Sequence, residues 1–171
     1  VEVLRRMDER LYNEQTVREA LAWIKENCKE GFDKNPEFIR RFYSPEVYAL
    51  GDKWYESPLF EGTDFKEGME RINLESDKFL EALGYVHDRE NHCFKVVKNN
   101  DERVGFFAHE GFGKLFLSSI LDIPYPQFST RFELSHSSIT VIHFPEPYEG
   151  EDYCRPRVLQ MANDSHLFKA D

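Results

Sequence analysis

The chain has 171 residues, with 22 Lys plus Arg against 32 Asp plus Glu, 40% hydrophobic residues and a formal net charge of -10. That is enough for one core of domain size, and the acidic surface disfavours a nonspecific nucleic-acid or anionic-membrane binder while leaving room for a small basic pocket. No apolar run reaches the ~20 residues of a membrane-spanning helix, the start lacks a signal-peptide layout, and Cys28, Cys93 and Cys154 fit neither a disulfide framework nor a structural zinc site. The expectation is a soluble, cytoplasmic protein with buried or spare thiols.

In chain order, Val1 to Leu4 is β-favouring with no turn before it, as though the chain begins inside a strand. Thr16 and Glu19 form a capping box, followed by Val17, Ala20, Leu21, Ile24 and Cys28 at helical spacing, and Gly31 ends that helix. Residues 32 to 63 are dense in aromatics broken by Pro36, Pro45, Pro58 and Gly62, which predicts short helical turns and loops. Asp64 and Glu67 form a second capping pair. Behind it, Phe65, Met69, Ile72, Phe79, Leu80 and Leu83 make one apolar stripe, stopped by Gly84.

From Tyr85 to Glu102 the chain is polar around one short strand at Cys93 to Val97, with a turn at Asn99, Asn100 and Asp101. The unbroken apolar run Val104-Gly105-Phe106-Phe107-Ala108 reads as a strand buried on both faces, leading through His109 to Gly113 into a helix over Lys114 to Leu121. Strand, glycine turn and helix together make the half-unit of an α/β sheet. Pro124 and Pro126 interrupt, Phe128 to Phe132 suits a further helical turn, and Ile139 to Ile142 and Val158 to Met161 read as two more strands. No internal repeat or domain linker is visible.

His109 is the first candidate for chemistry, because it stands where the expected central strand ends and a helix begins, at the edge where open α/β sheets place ligands. The free N–H groups of such a helix attract an anion such as phosphate. The competing reading is a histidine that only caps the helix. The EGFGK segment lacks Walker spacing, and no G-x-S-x-G elbow is present. The second candidate is Met7 to Asn13, where Glu9 can donate a proton beside Arg10 and Tyr12; its alternative is a solvated charged loop. His87 and His92 fall in a polar connection, His136 in a turn and His143 at a strand end. None has metal-ligand spacing with another, so no metal site is expected.

Taken together, VGFFAHEGFGKLFLSSILDIPYP, FELSHSSITVIHF, NDSHL and MDERLY, with GMERINLESDKFLEALGY between, resemble the histidine phosphatase superfamily, the phosphoglycerate mutase-like phosphomonoesterases. The resemblance implies a three-layer α/β/α fold with a mostly parallel sheet and a helical, aromatic-rich cap over 16–63, inserted in a single domain. It further implies hydrolysis of a small phosphorylated metabolite through a phosphohistidine, with no cofactor and no metal. On that pattern His109 is the second histidine, Glu9 the proton donor, and Arg10 and Tyr12 contact the substrate. Glu110 lies beside the anion site and must point away or pair with a cation. Asn13 replaces the family's glycine, and no Arg-His-Gly nucleophile segment occurs. The chain then reads as an incomplete domain, inactive alone, whose parent is the enzyme. The alternative is a noncatalytic binding or interaction module of the same fold. No nucleic-acid or membrane partner is expected, and the oligomeric state is left open.

Overall fold

The computed structural model describes residues 40–98 and 101–168. The expected opening strand, the helix capped by Thr16, the first half of the expected cap and the Met7 to Asn13 cluster lie outside the described residues, as do Asn99 and Asn100.

From residue 40 on, the described part of the aromatic-rich stretch folds as expected into short helical pieces. Helix α1 (Pro45–Ala49) has proline at its first position, where a missing N–H costs nothing. The 3-10 turns Gly51–Glu56 and Pro58–Phe60 come next. Their rings close on one another: Trp54 meets Phe42, Phe60 and Phe65 at 5.2 to 5.7 Å between centroids. Phe42, Val47, Trp54, Phe60, Phe65, Met69 and Tyr125 form one buried cluster.

Helix α2 (Phe65–Ala82) matches the apolar stripe, burying Phe65, Met69, Ile72 and Leu80. Asp64 stands at its N-cap, but its side chain makes no cap hydrogen bond. Gly84, at φ +100°, turns the chain out of the helix and into β1 (Tyr85–Asp88), which pairs antiparallel with β2 (Cys93–Val96). The loop between them is fixed locally, since the Asp88 carboxylate accepts from the Asn91 backbone N–H at 3.1 Å and from its Nδ2 at 2.9 Å.

Helix α3 (Glu110–Ile120) and the short α4 (Tyr125–Ser129) complete the helices: α3 packs on both α2 and α4. Strand β3 (Ile139–His143) pairs antiparallel with β5 (Arg157–Asn163), while β4 (Tyr153–Cys154) joins β2. A second cluster fills the space between hairpin and helices: Leu80, Tyr85, Phe94, Leu117, Ile120, Phe128 and Cys154. Helix α2 feeds both clusters, and α4 bridges them through Tyr125 and Phe128.

The three-layer α/β/α architecture with a mostly parallel sheet is therefore corrected. Among the described residues there are two small antiparallel sheets, in the orders β1-β2-β4 and β3-β5, with helices beside them. The physical reason lies at 104–108. That run is not a strand: Phe106 stacks on Phe116 and Phe112 at 4.6 and 5.8 Å and approaches Phe79 at 6.1 Å. Ring contact with α2 and α3 replaces ladder pairing, and Phe107 is left 79% exposed. Without a central strand there, a parallel sheet has nothing to build on.

Candidate functional site

His109 occupies the N-cap of α3 with extended backbone and no side-chain cap hydrogen bond, and it is exposed. Since 104–108 is not a strand, the residue marks a helix start and not the carboxyl edge of a parallel sheet. Glu110 sits next in the first turn, where a carboxylate suits the helix dipole. Its Oε1 accepts from Lys114 Nζ at 2.6 Å, one helical turn on. Glu110 thus pairs with a cation on its own helix. Lys114 is a lysine with only 4% of its side chain exposed, and its other carboxylate, Glu133, is 3.8 Å away at the surface. Glu9, Arg10 and Tyr12 lie outside the described residues, so only His109 and Glu110 of the expected site can be placed.

A denser arrangement stands elsewhere, built from residues that carry no local motif. The His87 side chain has no exposure, and both ring nitrogens meet carboxylates: Nδ1 lies 2.8 Å from Asp77 Oδ1 on α2, and Nε2 lies 3.0 Å from Asp122 Oδ2 after α3. A neutral imidazole carries one proton and satisfies one of these two acceptors, so the geometry selects the imidazolium. Burial pushes its pKa down, but the hydrogen bonds to Asp122 and Asp77 outweigh burial and raise it above the ordinary 6.5. Asp77 also takes Arg89, whose Nε and Nη2 donate to its two oxygens at 2.8 and 2.7 Å. Burial alone would raise the Asp77 carboxyl, yet its His87 and Arg89 partners hold it below the ordinary 3.8. Arg89 continues to Ser119 Oγ at 3.0 Å, and Ser119 donates to Asn73 Oδ1 at 2.8 Å.

Both imidazole nitrogens and both Asp77 oxygens are bonded within this network, and Phe94 walls it, its ring stacked on the imidazole at 3.9 Å. It can hold elements together and move a proton, and its histidine side chain has no exposure to a substrate. The sequence holds only fragments of it, His87 and Arg89 alternating across one residue and Asn73 with Asp77 one turn apart on α2, and neither fragment links the histidine to its partners. Among the described residues no group of three or more His, Cys, Asp or Glu converges as a metal-ligand set. Nor is any described helix long and apolar enough to cross a membrane. Cys93 and Cys154 are buried thiols, and burial pushes Cys154 up to about 11, which keeps it a poor nucleophile.

Residues 1–57, a third of the chain, match the family model described as L-fucose isomerase, second N-terminal domain. No curated protein and no solved structure matches the chain. The finding corrects the histidine phosphatase resemblance and the hydrolase assignment drawn from it. The matched segment contains Met7 to Tyr12, the residues on which that resemblance placed its proton donor and substrate contacts. Short motifs in order carried the resemblance, and the antiparallel topology removes the strand that gave His109 its place in it. What the comparison supports is a similarity, over this opening third, to a domain of a sugar isomerase.

Proposed function

We propose that the chain is part of a sugar isomerase acting on an aldose of the L-fucose type. The similarity of residues 1–57 to the second N-terminal domain of L-fucose isomerase carries this reading. Packing at the end of that segment supports it: Phe42, Val47 and Trp54 share one core with Phe60, Phe65, Met69 and Tyr125. Burying aromatic side chains is worth about 2–3 kcal/mol each, so the end of the matched segment is anchored to α2 and α4 and is not a loose tail. The charge agrees too. A net -10 surface repels anionic ligands, whereas a neutral sugar loses nothing in that field and is bound by hydrogen bonds that carboxylates accept from its hydroxyls. A cytoplasmic setting belongs to the same reading, since Cys93 and Cys154 are both free thiols.

The test is incubation of the protein with L-fucose, with ketose formation measured by a colour reaction and binding by saturation-transfer NMR. Ketose accumulation, or saturation transfer to L-fucose that L-glucose at the same concentration does not show, supports the reading. Absence of both ketose and transfer at millimolar sugar overturns it.

A second reading takes a small phosphorylated metabolite as a ligand, with binding alone as the activity. The observation that favours it is the exposed His109 at the start of an eleven-residue helix. Phosphorus-31 NMR of a sugar phosphate titrated with protein checks it; a shift that persists unchanged in His109→Ala removes His109 from that role.

A further inference from the structure

We propose that His87 is a proton-operated clasp: protonated, it ties α2, the β1–β2 hairpin and the turn between α3 and α4 together, and losing its proton releases them. The warrant is geometric. The ring sits between Asp77 on α2 and Asp122 in the α3–α4 turn, with one carboxylate oxygen on each nitrogen. Deprotonation leaves a lone pair on an unexposed ring facing a carboxylate oxygen at 2.8 or 3.0 Å. One attraction becomes a repulsion, and two carboxylates are left with Arg89, among the described residues, as the one cation bonded to Asp77.

The other groups around the ring do not compensate. From the hairpin, Asp88 is committed to Asn91, and His92 Nδ1 is 3.7 Å from Asp122 Oδ1 at a half-exposed site. Arg155, beside β4, is spent on the carbonyls of His92 and Asn91. From α3, Ser119 is neutral and faces Arg89, and from β2, Phe94 covers the ring face. Arg89 lowers the affinity of the imidazole for its proton, so it favours release.

Asp122 gives the device something to release. It sits at φ +50°, a left-handed conformation that an L side chain adopts at a cost, two residues before Pro124. The His87 hydrogen bond holds it there. With the clasp open, the turn relaxes, and the start of α4, where Tyr125 reaches into the first core cluster, loses its fixed approach. The sign is set by the raised histidine: the clasp's contribution is complete below pH 6.5 and is lost as pH rises through the folded value above it.

The experiment is nitrogen-15 NMR of the imidazoles in the whole chain, together with hydrogen exchange at pH 6 and pH 9 corrected for the intrinsic rate. The expected result is a His87 ring protonated on both nitrogens at pH 7. At pH 9, exchange in peptides spanning 85–92 and 119–124 should be at least tenfold faster, with exchange in the β5 ladder over 157–163 unchanged. In His87→Gln, whose amide does not titrate, the pH-dependent difference should vanish. A singly protonated His87 at pH 7 overturns the proposal, as does exchange in those peptides that does not change with pH. If His87→Gln does not fold, the wild-type NMR titration alone decides.

Discussion

His87 and Phe94 are direct partners across the β1–β2 hairpin, and their rings stack at 3.9 Å with 25° between planes. Phe94 is fully buried in the second core cluster while His87 belongs to the charged network, so one strand pair joins the apolar core to the ion cluster. Phe94→Ala should therefore cost about 3–5 kcal/mol, the range for deleting a buried ring, and should also open the imidazole to water. Urea denaturation measures the first effect. A loss under about 1 kcal/mol would mean that the hairpin is not seated on the core.

Gly84 makes the turn between α2 and β1. A Cβ there would come within 3.2 Å of the Lys98 backbone carbonyl group, with its oxygen the nearest atom, at a φ of +100° that L residues rarely adopt. Gly84→Ala is expected to destabilise by about 2–3 kcal/mol, adding backbone strain to a clash with main chain that cannot move aside. Thermal unfolding reads this directly, and a midpoint equal to wild type would place the turn elsewhere.

Helix α2 was legible because its signal is long: six apolar positions at helical spacing between an acidic cap and a glycine leave one solution. Strand β1 was not, since Tyr85–Asp88 is four residues with two polar side chains, and its hydrophobicity is lent by β2 and by the cluster it helps to enclose. At 104–108 the composition was misleading for a physical reason. An apolar run records a need for burial without saying whether a ladder or a stack of rings supplies it, and here Phe112 and Phe116 on α3 supply it. His87 escaped notice because its partners are 10 and 35 residues away, distances over which no local pattern operates.

That difference is measurable at Phe107. In a strand buried on both faces, removing its ring would cost several kcal/mol, whereas a ring 79% exposed contributes little. Phe107→Ser should change stability by no more than about 0.5 kcal/mol and lower the binding of a hydrophobic dye. A large loss in the urea midpoint would restore the buried strand.

On the acid side the network has a second limit, set by Asp77. Its folded pKa lies below the ordinary 3.8, so its contribution is present above 3.8 and lost as pH falls through the folded value. Asp77 is about a third exposed, which tempers the size of the effect. The urea midpoint of wild type should fall between pH 4 and pH 2 more steeply than that of Asp77→Asn, which carries no titrating group there. Parallel curves would assign acid unfolding to other carboxylates.

Lys114 and Glu110 give the sharpest contrast between breaking an ion pair and removing it. Glu110→Gln leaves the ammonium buried with, among the described residues, only the distant, exposed Glu133 for charge. Glu110 is itself about a third exposed, so the loss should be about 1 kcal/mol and not the several that a deeply buried pair would show. Lys114→Met keeps most of the side-chain length and removes the charge that burial penalises, while freeing Glu110 to be hydrated in the first turn of α3, where the helix dipole favours it. It should be neutral or stabilising by about 1 kcal/mol. The two substitutions, measured together by urea denaturation, should thus differ in sign or nearly so although they remove the same contact. A cost above about 2 kcal/mol for Lys114→Met would show that the amine holds α3 by more than the pair, with Glu133 as the first group to test.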